Sequence, residues 1–127
     1  MKTSTLLRNA WALIEDPKHW TTRAYAKTRR GRVCDPSNPG AVKFCALGAI
    51  RRANFENGGG SVGNLNAAAA LRDAAGGNTS AQVNDLDGHE AVRKMYAEAI
   101  RAARRREARQ RGPGAARNRS PKERRKR

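Results

Sequence analysis

Few side chains in this chain of 127 residues could carry out covalent chemistry. Cys45 could act as a nucleophile and His19 or His89 as its base, because a thiol attacks as the thiolate and needs a group that takes its proton. Polar residues that could orient such a base follow later in the chain: Asn84, Asp85 and Asp87. Together these groups would suit a thiol enzyme.

The spacing around Cys45 argues against that chemistry. Apolar residues recur at helical intervals after the turn that contains Pro39, namely Val42, Cys45, Ala46, Ala49, Ile50 and Ala53. The pattern predicts a helix with Pro39 in its first turn and Cys45 about two turns in, as a small buried hydrophobe on the apolar face. We therefore predict that the protein is not an enzyme and has no catalytic residue. A thiol enzyme that uses Cys45 is kept as a third hypothesis.

The spacing does not support metal or phosphate binding either. A zinc site would need Cys34, Cys45, His19 and His89 to converge, and their spacings match no close pair of zinc ligands. The glycine run at 58–60 lacks the Lys-Ser/Thr that follows in a phosphate-binding loop, so it is interpreted as a flexible connector. We predict no metal site and no cofactor.

Positive charge is concentrated at the end of the chain. Residues 101–127 hold thirteen Lys or Arg and two acidic residues, so they contribute +11 of the formal net charge of +16. Such an arm can neutralise phosphates and bind DNA or RNA without reading sequence, and its lack of aromatic residues argues against base stacking. The predicted contacts are Arg104, Arg105, Arg106, Arg109, Arg111, Arg117, Arg119, Lys122, Arg124, Arg125, Lys126 and Arg127. The alternative is a solubilising tail that touches nucleic acid only incidentally.

A second basic cluster falls on a predicted β-hairpin. Its members are Arg23, Lys27, Arg29, Arg30 and Arg32. A basic ribbon could track a phosphate backbone, with Arg29, Arg30 and Arg32 of the turn as the candidate contacts. The alternative is a hairpin tip whose charges are merely solvated.

The remaining elements must position these groups. Helices are predicted over residues 4–15, from 39 to about 53, over 64–75 and from 87 onward, with a single helical turn at 81–86. The hairpin is predicted near residues 22–34, with its turn at 28–31 and Trp20 and Tyr25 as its anchors on the helices. Gly48 inside a helix costs about 1 kcal/mol relative to Ala, which indicates that another element approaches the helix closely there.

These elements predict a mostly α protein: a small single domain of about four helices, with one short β-hairpin packed on them and a disordered basic C-terminal tail. The expected boundaries are a compact domain at 1–100, a basic helix extension at 101–111 and disorder at 112–127. Two cysteines are too few for a disulfide framework, and the chain shows neither a signal peptide nor a membrane-spanning stretch. A cytoplasmic protein is the expectation.

The order of these motifs resembles a family of short, functionally uncharacterised bacterial and phage proteins. The resemblance covers about residues 4–100, and its most specific parts are the stretch Phe44-Cys45-Ala46-Leu47-Gly48-Ala49 and the later pair Asn84-Asp85. The chain departs from the pattern at Val83, where the family leads us to expect an aromatic residue, and its basic tail is extra. The resemblance implies a fold and a bacterial or phage setting, but no activity.

The pair Asn84-Asp85 has two interpretations. Side chains of this kind bind loop amides, so the pair could lock the connection into the last helix. Alternatively, it could form a polar site together with Cys45, Trp20 and Tyr25.

Our leading hypothesis is a non-catalytic protein that associates with DNA or RNA independently of sequence, through residues 101–127 with support from the hairpin. The second hypothesis is a phage or bacterial protein-interaction or inhibitor module, whose folded body docks on a larger enzyme. Neither the oligomeric state nor a specific partner follows from the sequence.

Overall fold

A computed structural model of the chain describes the backbone of residues 1–119 and the side chains of residues 1–110. The protein is mostly helical with a small antiparallel sheet, which confirms the predicted fold class. The helices are α1 Thr3–Ile14, α2 Ala46–Glu56, α3 Ser61–Ala74, the single-turn α4 Ser80–Gln82, and α5 His89–Arg119. A 3-10 turn covers Pro17–His19, and a π-helical turn covers Val83–Asp87.

The sheet contains the predicted hairpin and a third strand that was not predicted. Its strands are β1 Ala26–Thr28, β2 Val33–Cys34 and β3 Ala41–Phe44, in the order β2-β1-β3. The prediction that residues 41–44 begin a helix is wrong, because they pair with β1 across the sheet, with Phe44 opposite Ala26. The turn before it closes with a hydrogen bond from Ala41 N–H to Asn38 C=O, at 3.0 Å, and leads into the strand.

The core lies where α1 packs against α2 and α5. Its buried side chains include Leu6, Leu7, Ala10 and Ile14 of α1, Ala49, Ile50 and Ala53 of α2, and Val92, Met95, Tyr96 and Ala99 of α5. Helical spacing in the sequence predicts these faces, with Leu13 of α1 and Ile100 of α5 as further members that are only partly buried, so the predicted faces are confirmed in these three helices. In α3 helical spacing predicts a face of Leu65, Ala68 and Leu71, which is partly wrong, since of these only Leu71 is buried and Leu65 is 68% exposed.

The helix α5 stays attached to the body beyond the expected boundary at residue 100. Ala103 is buried, and the Glu107 carboxylate accepts hydrogen bonds from Ser4 N–H at 3.1 Å and from Ser4 Oγ at 2.6 Å. The backbone of α5 continues to Arg119, past the Gly112-Pro113-Gly114 stretch where the sequence predicted its end. The compact body therefore includes about two further turns of α5.

Within residues 1–119, no helix combines the length and apolar character needed to cross a membrane.

Candidate functional site

Cys45 lies at a helix end rather than inside a helix. It is the N-cap of α2, and its Sγ accepts a hydrogen bond from Gly48 N–H at 3.3 Å. Burial raises the pKa of the Cys45 thiol above its usual range, and the amides of Gly48 and Leu47 only partly oppose this effect. The predicted position two turns into the helix is therefore wrong, but Cys45 is buried, as predicted for a packing residue.

The start of α2 is pressed against the chain that enters β1. A Cβ placed on Gly48 would lie 1.8 Å from the Tyr25 carbonyl oxygen, so only glycine fits there. The same carbonyl accepts a hydrogen bond from Cys45 N–H at 3.1 Å. This confirms the prediction that another element approaches the helix closely at Gly48.

The Asn84 side chain connects three parts of the chain at this point. Its Oδ1 accepts hydrogen bonds from Trp20 Nε1 at 2.7 Å and from Ala46 N–H at 2.9 Å. Its Nδ2 donates to Thr21 C=O at 3.1 Å and to Asp85 Oδ1 at 2.9 Å. An amide side chain can donate two hydrogen bonds and accept two, so the contacts within the fold occupy all the hydrogen-bonding groups of the Asn84 side chain.

Asp85 holds the segment before β1. Its Oδ1 accepts the Arg23 N–H at 3.0 Å, and Arg23 has a left-handed backbone with a φ of 64°. Non-glycine residues adopt this conformation rarely and at a cost of about 1–2 kcal/mol. The Asn84-Asp85 pair thus fixes the path of residues 20–25, which are distant in sequence, rather than the connection into the last helix for which the locking role was predicted.

These contacts border a cavity of about 400 Å³ between the sheet, the start of α2 and α4. Its lining consists of Arg23, Ala24, Tyr25, Val33, Cys45, Ala46, Leu47, Ser80, Ala81, Asn84 and Asp85. Tyr25 is 44% exposed, with the Arg51 guanidinium 4.5 Å from its ring centroid, so it is less of an anchor than predicted. The cavity brings together Cys45, Tyr25 and Asn84-Asp85, with Trp20 bound behind Asn84.

Neither histidine lines this cavity. His89 Nε2 donates to Ile14 C=O at 2.7 Å, and the His89 ring packs between Trp11 and Trp20, at centroid distances of 5.5 and 5.3 Å. His19 is exposed on the 3-10 turn. In the part of the chain that the structure describes, no group of three or more His, Cys, Asp or Glu residues could hold a metal ion.

The predicted arginine contacts on α5 are exposed where their side chains are described. Arg104, Arg105, Arg106 and Arg109 all face solvent, and Arg105 lies 3.6 Å from Glu98. The side chains of Arg111, Arg117 and Arg119 are not described, although the α5 backbone includes these residues. The remaining predicted contacts, Lys122, Arg124, Arg125, Lys126 and Arg127, lie outside the described residues.

The hairpin arginines belong to a separate element. Arg29, Arg30 and Arg32 are exposed in and next to the turn that Gly31 N–H closes on Thr28 C=O. The sheet packs against α1, α2 and the 3-10 turn. Among the described residues, no hydrogen bond or ion pair joins the arginines of the hairpin to α5.

The chain matches the model of a family of unknown function, DUF6197, over residues 1–102. It belongs to this family. The match confirms the resemblance to an uncharacterised family, and it ends close to Ala103, the last buried residue of α5 within the described side chains. No curated protein and no solved structure gave a significant match.

For this member of DUF6197, the family match separates two regions. The cavity and the Asn84 contacts lie inside the matched residues, whereas Arg104 and everything after it lie outside. The sequence could flag Gly48, Asn84 and Asp85 because their types are unusual at those places. It gave no signal for Val33, Leu47, Ser80 or Ala81, which border the cavity through small or apolar groups.

Proposed function

We propose that this DUF6197 member associates with nucleic acid without catalysis and independently of sequence, through the basic face of α5. The proposal is supported above all by the exposed arginines that lie on α5 next to its last contacts with the body. It includes a cytoplasmic setting, in a bacterial or phage-infected cell, where DNA and RNA are accessible.

Four arginines of α5 share one side of the helix. At about 100° per residue, Arg101, Arg104, Arg105 and Arg109 fall within about 140° of one another, on the side opposite the buried Ala99 and Ala103. Among the described side chains, Arg104 and Arg109 take part in no ion pair. A helix with this face can lie along a phosphate backbone, where each neutralised phosphate releases counterions.

The direct test is binding of labelled DNA and RNA of about 20 nucleotides, single- and double-stranded, across about 50 to 300 mM salt. We expect affinity to fall steeply with salt and to be similar for unrelated sequences. Replacing Arg104, Arg105 and Arg109 by Gln in the full chain should weaken binding by about tenfold or more and flatten the salt slope.

A matched control removes the same charge elsewhere. Arg8, Lys18 and Arg72 are exposed residues of α1, the 3-10 turn and α3, and their replacement by Gln should leave affinity within about twofold. A chain ending at Gln110 tests the last seventeen residues without removing Ala103 or Glu107 from the body. Binding that is insensitive to salt, or equal weakening by the two triple variants, would refute the proposal.

The cavity favours a second candidate function, the docking of a partner protein on the folded body. An opening of about 400 Å³ with an apolar lining has no use in binding phosphates.

A further inference from the structure

We infer that the sheet edge beside the cavity docks an extended acidic segment of a partner protein, with one apolar side chain of that segment in the cavity. This inference concerns a different surface from the arginine face of α5 and does not depend on it. Three features of the described residues support it: an open strand edge, an apolar opening beside it, and an excess of arginine over acidic side chains around both.

The open edge is that of β2. Among the described residues the strand pairs only with β1, with Val33 opposite Lys27 and Cys34 opposite Ala26. Thr28 N–H donates to Arg32 C=O at 2.8 Å, and hydrogen-bonding residues alternate along an antiparallel pair, so Val33 N–H and C=O point away from β1. An added strand can pair with these groups.

The apolar opening adjoins this edge. Val33 is 70% exposed and lines the cavity together with Tyr25 and Leu47. An aliphatic side chain of a partner could cover both the exposed Val33 and the apolar cavity beside it. Such an anchor supplies much of the binding energy of a small interface. Peptides that add a strand to a sheet commonly gain specificity from a pocket of this kind.

The charge around the edge selects the kind of segment. Arg23, Arg29, Arg30 and Arg32 are exposed, and none of them forms an ion pair with another described side chain. These four arginines outnumber the two acidic groups nearby: Asp85, whose Oδ1 accepts from Arg23 N–H, and Asp35, whose carboxylate binds Ser37. An acidic segment would therefore be attracted and oriented, whereas a basic one would be repelled.

Nucleic acid is the other polyanion that these arginines could meet. Phosphates would use the hairpin arginines but leave Val33, Leu47 and the cavity uncovered, which is why a peptide fits the surface better. The two occupants differ in their dependence on the apolar side chains, and the experiment is built on that difference.

The probe is a displayed library of random segments of about ten residues, selected on the full chain and followed by affinity measurements on synthetic peptides. The test variant is Val33→Lys, and its matched control is Val62→Lys, since Val62 on α3 is similarly exposed at 67% and lies outside the cavity. Thermal unfolding shows whether both variants remain folded. We expect acidic peptides with a central aliphatic residue, weakened about tenfold or more by Val33→Lys and less than twofold by Val62→Lys.

Amide and methyl NMR signals give a second readout on the wild-type chain. Addition of a selected peptide should shift the Val33 amide and the Leu47 methyl groups. The inference is overturned if selection yields no peptide preferring wild type over Val33→Lys, or only peptides that lack acidic or apolar residues. It is also overturned if a DNA duplex of about 20 base pairs competes for binding and shifts the same signals as strongly as the peptide does.

Discussion

Asn84 uses each hydrogen-bonding group of its side chain to join segments that are far apart in sequence. Replacing it by Asp keeps the shape and the acceptor for Trp20 and Ala46, but it places a second oxygen against Thr21 C=O and Asp85 Oδ1. We expect Asn84→Asp to lower the free energy of unfolding by about 3 kcal/mol, because two donors are lost and a buried carboxylate is placed beside that of Asp85.

Urea unfolding followed by tryptophan fluorescence measures this loss. Asn78→Asp is the control, since Asn78 is exposed in the loop before α4 and its side chain forms no hydrogen bond with a described residue. The control should change stability by about 0.5 kcal/mol or less. Equal effects of the two substitutions would show that Asn84 does not connect the segments as described.

Gly48 allows a test in which two effects oppose each other. Alanine has the higher helix propensity by about 1 kcal/mol, yet its Cβ would lie 1.8 Å from the Tyr25 carbonyl oxygen. The clash is with backbone that also binds Cys45 N–H, so we expect Gly48→Ala to destabilise the protein by about 3 kcal/mol or more. Gly60→Ala, with open space around the added Cβ, should cost about 1 kcal/mol or less in the same denaturation assay.

Tyr96 makes the stability of the protein depend on pH in the alkaline range. Its side chain is fully buried, its hydroxyl donates to Ala46 C=O at 2.6 Å, and burial raises its pKa well above the ordinary value of 10.0. The phenol therefore stays protonated in the folded chain at pH values where it ionises in the unfolded chain. The stability it contributes is intact below about pH 10 and is lost as the pH rises above that value.

Comparison with Tyr96→Phe isolates this contribution. At pH 8 we expect the variant to be less stable by about 1 kcal/mol, because it lacks the hydrogen bond. Between pH 10 and 11 wild type should lose about 1 kcal/mol more than the variant in denaturant unfolding. Parallel pH profiles of the two proteins would contradict the assignment.

Among the elements, α5 differs most from its predicted form, because it packs on the body beyond residue 100. Its attachment through Ala103 and Glu107 predicts that a chain ending at Ile100 is much less stable than a chain ending at Gln110. We expect a difference of about 2–4 kcal/mol in the free energy of unfolding, from one buried alanine face and two hydrogen bonds to a carboxylate. Equal thermal midpoints of the two truncated chains would place the boundary of the body back at residue 100.

The elements also show which parts of the fold sequence patterns predict and which they do not. Helical spacing found the buried faces of α1, α2 and α5, because an amphipathic helix must repeat its apolar residues every three or four positions. Residues 41–44 continue the α2 pattern by coincidence, and pairing with β1 decides their conformation instead. The error placed the start of α2 near Pro39 instead of at Ala46 and so put Cys45 inside the helix, since pairing between distant segments leaves no local signal.

At the scale of the whole molecule, the candidate site illustrates the same limit. Gly48 and Asn84-Asp85 could be recognised from their residue types, and the charge of the arm from composition. The cavity could not, because Val33, Leu47 and Ala81 become neighbours only after the sheet, α2 and α4 have packed together. The chain thus has a body that matches DUF6197 and an arginine-rich extension that lies outside the family match.

The hydrogen bonds of Asn84 also bear on the order in which the molecule forms. They join residues separated by 64 and 63 positions to Trp20 and Thr21, and by 38 positions to Ala46. Contacts this distant must first overcome the entropy of closing long loops, whereas the turns of α1, α3 and α5 form from near neighbours. We expect the cavity to be completed late in folding, so that a chain with its helices already formed still lacks the surface on which a partner would dock.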